Sequence, residues 1–449
     1  MDKIRKFLVS DWYTALLFII GSLVVLTNNE VVGTLLMANI IGFSMMLSDD
    51  WIAPLQGVIV TFCFAIRCKH SFDDFMQYWY LAIPAGIMIL MHFILYKFRF
   101  RKGSCFYGIF ATSVAVTLGG LGIITAREYF SLTSIFYIVM LGFGMLFVYS
   151  YMGGALDKKY DYDFSDRFAK MMSSAILMLF ICLAEEYISR AGELSGGFDI
   201  LPFQWRNNGS TMLMLAMPFA FYLSAKKFGW FFVGILSYGA ILFAGSRGGM
   251  IFGLVELIIC MSVMLILDKR HRPAIIAVVI VCLAAAFAMR HAIFDMVSYT
   301  IERLLSPSEN AIRLELIPRG IGDFMANPIF GRGIGYMGNS DVHNNAEFTL
   351  CWYHCSPIQI IGSFGIVGVA AYGFLIFCRI KTLAKNLTFF NIMLFASYVG
   401  LEMMSLVNPG IFVPFPYLFL VTIYFVVMER CNSDSDREML GKIRSGGKK

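Results

Sequence analysis

Asn327-Pro-Ile-Phe-Gly-Arg332-Gly-Ile-Gly335 and, a few residues on, Asp341-Val-His343-Asn344-Asn345 stand inside the one long polar interval of this chain, Arg290 to Ser356. On both sides of that interval the sequence is a succession of apolar runs. The 449 residues are 58% hydrophobic and 15% charged, with a mean hydropathy of +0.71. A soluble domain of this size with that composition would expose a large apolar surface, so the chain reads as a polytopic membrane protein. A polar stretch this long between membrane helices is more often functional than a plain connector. It is therefore where a site is expected.

Apolar stretches long enough to cross roughly 30 Å of hydrocarbon lie at 12–28, 31–47, 52–67, 79–97, 104–125, 131–152, 169–187, 209–225, 228–245, 247–267, 273–289, 357–378, 389–406 and 412–428. The expected fold is an all-α polytopic membrane protein of about 12–14 transmembrane helices with one long extracytoplasmic helical loop. Three parts follow: N-terminal transmembrane helices over 1–289, an extracytoplasmic catalytic loop over 290–356, and C-terminal transmembrane helices with a cytoplasmic tail over 357–449. The N-terminus carries Lys3, Arg5 and Lys6 ahead of an apolar run with no small-residue cleavage site, which reads as a retained first helix. The ten cysteines fall mostly inside apolar runs, where Cys behaves as a small hydrophobe, and they form no disulfide framework.

With the N-terminus inside, most of the 36 Lys and Arg fall in inner loops, as short cytoplasmic loops require. The net charge of +6 is spread through those loops, so topology explains it and nucleic acid is not an expected partner. The cations left outside are Arg67, Lys69, Arg127, Arg190, Arg206, Arg247, Arg290, Arg303, Arg313, Arg319 and Arg332, all but Lys69 arginine. Guanidinium groups pair bidentately with phosphate and carboxylate and keep their charge. An outer face so composed looks built for an anion. No internal repeat is visible, which weighs against a transporter built from repeats. The inner loop 153–170 reads as a solvated linker. The outer loop 188–208 reads equally as cover for the site and as an ordinary connection.

Arg247 sits in Ala-Gly-Ser-Arg-Gly-Gly-Met, between the end of one helix and the start of the next. The glycines permit a tight turn and close ligand approach, and N–H groups at a helix start favour an anion. A snorkelling arginine at a helix end is the commoner reading of such a residue. Arg313 lies in a segment where Ile312, Leu316, Gly320 and Phe324 recur at helical spacing, with Pro318 expected to kink or shorten the helix. A salt bridge from Arg313 to Glu309 is its plainer role. His343 stands just before Asn344, which with Glu347 resembles a capping box. That position gives a titratable nitrogen at the membrane surface, suited to a general base; a polar residue at a helix entrance is the equal alternative. Cys351, His354 and Cys355, expected on the following helix, match no closed zinc spacing, so no metal is expected. Glu256 and Glu402 fall inside apolar helices, as pairing or bundle-interior groups.

Taken together, Ala-Gly-Ser-Arg247-Gly-Gly at a membrane face, Arg313 ahead of Asn327-Pro-Ile-Phe-Gly-Arg-Gly-Ile-Gly335, and His343-Asn344 ahead of Gly365-Ile-Val-Gly368 resemble the O-antigen ligase and O-antigen polymerase superfamily. The resemblance covers about residues 240 to 375. It implies an inverting, metal-independent and cofactor-free glycosyltransferase in the bacterial cytoplasmic membrane, with its site on the extracytoplasmic face. The donor would be an undecaprenyl-diphosphate-linked glycan and the acceptor a glycan, with a flippase and a chain-length regulator as working partners. Arg247 and Arg313 would bind the diphosphate and His343 would activate the acceptor hydroxyl. Arg319, Arg332, Asp341 and Asn344 complete the expected substrate-binding set. A lipid-linked oligosaccharide flippase is the competing class, but it must close on both sides of the bilayer and would not gather its charges in one outer loop. A scaffold or receptor would need no such constellation. Between polymerase and ligase, the absence of a separate element to dock a lipid A core or a protein leans towards a polymerase.

Overall fold

The computed structural model describes residues 2–122 apart from Cys68 and Ser71, then 132–192, 201–288, scattered positions from 290 to 302, 307–334 and 352–431; side chains of 307–314 are outside that description. Among the described residues there is no strand. The chain is an all-α polytopic membrane fold, and among the described residues each apolar run read above carries helix. In chain order these are α1 (Asp11–Leu26), α2 (Glu30–Leu47), α3 (Ile52–Ala65), α4 (Ile83–Leu95), α5 (Phe106–Gly122), α6 (Leu132–Val139) continued by α7 (Met145–Ala155), α8 (Phe164–Ser189), α9 (Phe203–Ser224), α10 (Gly229–Ala244), α11 (Arg247–Leu267) and α12 (Arg272–Ala288). The polar interval contributes α13 (Pro307–Ala326), and the chain closes with α14 (Ser356–Lys385), α15 (Phe389–Met404) and α16 (Phe419–Arg430).

Among the described residues, five helical stretches are long and apolar enough to cross a membrane by themselves: Glu30–Leu47, Ser134–Ala155, Phe164–Ser189, Arg247–Leu267 and Ser356–Lys385. Shorter apolar helices accompany them. The outward surface is apolar too, with Ile94, Ile188, Ile266 and Val281 each at least 66% exposed, as a lipid-facing surface requires. At the centre stands α9, whose residues 211–224 are all buried. It packs against α8, α10, α11 and α15. Because this helix touches protein on every side, its apolar residues run all round it without a polar stripe.

Two expectations about helix continuity change. Pro318 lies inside an unbroken α13. The break falls instead in α14, at Gly365 with φ +61° and ψ −154°. The run read at 412–428 is likewise interrupted, with short turns at Gly410–Phe412 and Pro414–Leu418 ahead of α16. Cys355 and His354 precede α14 and do not lie on it, Cys355 being its N-cap residue and His354 having φ +53°.

Candidate active site at the Arg247 end of the bundle

The turn between α10 and α11 carries Arg247. α10 ends through Gly245, which takes the left-handed conformation at φ +74° and donates its N–H to the Leu242 carbonyl at 3.1 Å. Ser246 then caps α11: its hydroxyl accepts from the Gly249 N–H at 3.2 Å and donates to Asn207 Oδ1 at 2.7 Å. Arg247 is thus the first helical residue, held half-buried at the mouth of the bundle. Of the three glycines here, only Gly245 is used for its turn. Gly248 and Gly249 serve close packing: a Cβ on them would lie 2.6 Å from Val407 Cγ2 and 2.6 Å from Ser210 Cβ respectively.

The same end of α9 supplies Asn208. Its amide nitrogen donates to the Ile66 carbonyl at 3.4 Å, while the Tyr417 hydroxyl donates to Asn208 Oδ1 at 3.1 Å. One segment then ties this turn to the polar interval. Val407 touches Gly248, and two residues earlier the Ser405 carbonyl accepts from both the N–H and the hydroxyl of Ser356, where α14 begins.

The Asn327–Ile334 stretch explains the break in α14. A helix broken at Gly365 leaves N–H and C=O groups without intrahelical partners, and inside a membrane bundle each must be paired. Ile366 and Val367 donate their N–H groups to the Pro328 and Ile329 carbonyls at 2.9 and 3.2 Å, and the Gly362 and Ser363 carbonyls accept from Arg332 and Gly333, both at 2.8 Å. The turn-rich motif is therefore a backbone plug for a broken helix. Gly331, with φ +68°, sits where a Cβ would be 2.3 Å from the Ser363 carbonyl carbon, and a Cβ on Gly365 would be 2.5 Å from the Ile329 carbonyl. Neither position can hold a side chain without parting the two segments.

The plug also positions charge. Arg332 Nε lies 3.6 Å from Asp323 Oδ1, and the Tyr353 hydroxyl donates to Asp323 Oδ2 at 2.5 Å. Burial pushes the Asp323 carboxyl above its usual value, against the opposing pull of the Tyr353 hydrogen bond and of Arg332 and Arg319. Arg319 pairs with Glu315 one turn back on α13. Leu316, fully buried, and Gly320, against Tyr353 and Ile358, seat α13 on the start of α14. Arg332 is thus brought to Asp323, while Arg319, paired with Glu315, acts on that carboxylate through its charge. Sequence reading missed Asp323; its position four residues after Arg319 and nine before Arg332 was the available signal.

Arg67 departs from the anion-binding expectation. It is 1% exposed at the end of α3 and is enclosed by carboxylates: Glu30 of α2 at 2.8 Å, Glu186 of α8 at 2.7 Å, and Glu185. Lys69 reaches Glu186 at 2.5 Å, Arg190 reaches it at 3.5 Å, and His70 Nε2 lies 3.1 Å from Glu30. Buried charges persist only when paired, so these cations clamp three helix ends together and are not held ready for a substrate. Glu402 likewise pairs with Arg379 at 3.4 Å.

Arg303, Asp341, His343 and Asn344, together with the side chain of Arg313, lie outside the described residues; the backbone of Arg313 is in α13. Among the described residues no group of three or more His, Cys, Asp or Glu is arranged to hold a metal.

Residues 212–373 match the family described as O-antigen ligase. The match supports the O-antigen ligase superfamily for this chain. It runs from the core of α9, through the Arg247 turn and the whole polar interval, into the broken helix α14, and so takes in every candidate site residue. No curated protein and no solved structure matches the chain.

Proposed function

We propose that this protein is an integral membrane glycosyltransferase of the bacterial cytoplasmic membrane that polymerises undecaprenyl-diphosphate-linked oligosaccharide repeats at the extracytoplasmic face. The observation that carries the reading is the O-antigen ligase match over the segment holding the Arg247 turn and the Arg332 plug. Transfer from such a donor breaks the bond between the sugar and the diphosphate, so negative charge grows on the departing oxygen. Fixed guanidinium groups in a site of low dielectric neutralise that charge most where it develops. Arg247 and Arg313 take this role, with His343 removing the proton of the acceptor hydroxyl. Arg319 and Arg332, steered by Glu315 and Asp323, with Asp341 and Asn344, bind the glycan and diphosphate around them.

The family description itself favours a second reading, a ligase that uses the same donor and hands the glycan to a lipid or protein acceptor. Reconstitution of the full chain in vesicles with a defined lipid-linked repeat separates the two. A ladder of products from the repeat alone supports the polymerase. Product only after a lipid A core or protein acceptor is added supports the ligase, and exchange between leaflets with no new bond overturns both in favour of a flippase.

A further inference from the structure

A polar cavity lies at the end of the bundle opposite the Arg247 turn, among the loops that carry Lys and Arg. It has a volume of about 420 Å³ and opens between the start of α3, the end of α4 and the end of α7. The charges on its walls are unequal in their engagement. Lys158 pairs with Asp49 at 3.3 Å, and Asp157 pairs with Arg101. Lys97 and Arg99 are exposed at the wall and have no carboxylate partner among the described residues. Arg5 extends to the rim, where it donates to the Tyr96 hydroxyl at 3.5 Å. The cavity thus keeps a positive surplus after its acids are satisfied.

Its walls are held in place by packing. The Arg101 N–H donates to the Ser150 carbonyl at 2.9 Å, and a Cβ on Gly154 would lie 1.7 Å from the Arg99 carbonyl, so the 99–101 backbone lies flat on α7. At the back, His92 uses both ring nitrogens, one on the Met45 carbonyl at 2.7 Å and one on the Tyr151 hydroxyl at 3.1 Å. Beside the mouth is an apolar shelf. Phe98, Phe100 and Phe147 are 47%, 55% and 49% exposed, and Phe98 stacks on Phe93 at 4.7 Å.

We propose that this cavity holds the phosphate of an anionic phospholipid whose acyl chains lie along the Phe98–Phe147 shelf. A basic pocket between membrane helices at the positively charged end is the usual form of a lipid headgroup site. The adjoining aromatic shelf is what distinguishes a lipid from a soluble phosphate, since free phosphate gains nothing from it. Lys97 and Arg99 supply the charge. The assignment is independent of the reaction at the other end of the bundle.

Native mass spectrometry of the full chain in neutral detergent tests it, with phosphatidylglycerol, phosphatidylcholine and glycerol 3-phosphate as probes. Phosphatidylglycerol is expected to bind the wild type at least fivefold better than phosphatidylcholine, and glycerol 3-phosphate not to bind. Lys97→Gln with Arg99→Gln should abolish that preference, while Lys381→Gln with Lys385→Gln, basic residues elsewhere, should keep it. A melting curve establishes that each variant is folded, and the two single variants replace the double one if it is not. An unchanged preference in the Lys97/Arg99 variants overturns the site. Binding of glycerol 3-phosphate as tight as that of the lipid overturns the lipid and leaves a soluble phosphate ligand.

Discussion

Arg247 and Arg313 are the two arginines proposed to grip the diphosphate. Arg67 is consumed by Glu30, Glu185 and Glu186; Arg247 stands at the first position of α11 with its backbone fixed by Gly245 and Ser246. If each of the two candidate arginines grips the diphosphate through its planar fork, lysine keeps the charge and loses the paired geometry. Arg247→Lys and Arg313→Lys should each lower product formation more than tenfold, the loss of a contact worth roughly 1.5–3 kcal/mol. Product assays on vesicles of equal protein content read this, and wild-type rates in both variants would remove them from the site. His343 makes a sharper demand. A base must be neutral to accept a proton, so the wild-type rate should rise with pH through the histidine range, and His343→Ala should retain donor binding while transfer collapses. A folded His343→Ala protein that elongates glycan normally would end that role and pass it to Asp341 or Glu347.

The motif from Asn327 to Ile334 shows how an element's function was half legible. Its glycines and proline announce a turn in the sequence. Its partner could not be read, because the break in α14 occurs within an apolar run whose hydropathy is the same whether or not the helix is continuous. Backbone hydrogen bonds join residues some 35 apart there, and no local pattern records such a pairing. The same limit misled the reading of Arg67, whose carboxylate Glu186 is 119 residues away. Helix positions were legible because lipid and core both demand long apolar runs, and the Arg247 turn was legible because Gly245 is local to it, although Gly248 and Gly249, read with it as turn residues, serve packing. The plug has a direct consequence. Gly331→Ala and Gly365→Ala each add a methyl into carbonyl atoms at a positive φ, and backbone strain alone costs about 1–3 kcal/mol before any clash. Both should lower the melting temperature in detergent by several degrees, whereas Gly322→Ala and Gly373→Ala, where a Cβ meets nothing within 4 Å, should not. Equal melting of all four would mean that the plug contributes nothing to holding α14.

Across the whole molecule the two ends of the bundle are chemically different, and that difference is the argument for the topology. One end carries Arg5, Arg167, Lys170 and Lys226, the last three paired with Asp11, Asp163 and Asp166 at the starts of α1 and α8. The other holds Arg67 buried among carboxylates and gathers the Arg247 turn, the plug and the start of α14. Short loops rich in Lys and Arg stay in the cytoplasm because moving them across the membrane opposes both the potential and the insertion machinery. The end with Lys226 is therefore expected inside, together with the Lys381 end of α14, and the polar interval outside. Cysteine at Ser308 should then react with an impermeant maleimide in intact cells, while cysteine at Lys381 reacts only after the membrane is permeabilised. The native Cys282 and Cys355 are not buried, so the comparison needs a background in which they are replaced by serine. Reversed labelling would put the Arg247 end in the cytoplasm, where a lipid-linked repeat already moved to the outer leaflet cannot reach it. In that case the polymerase and ligase readings would fall together, whatever the arginine and histidine variants had shown about binding.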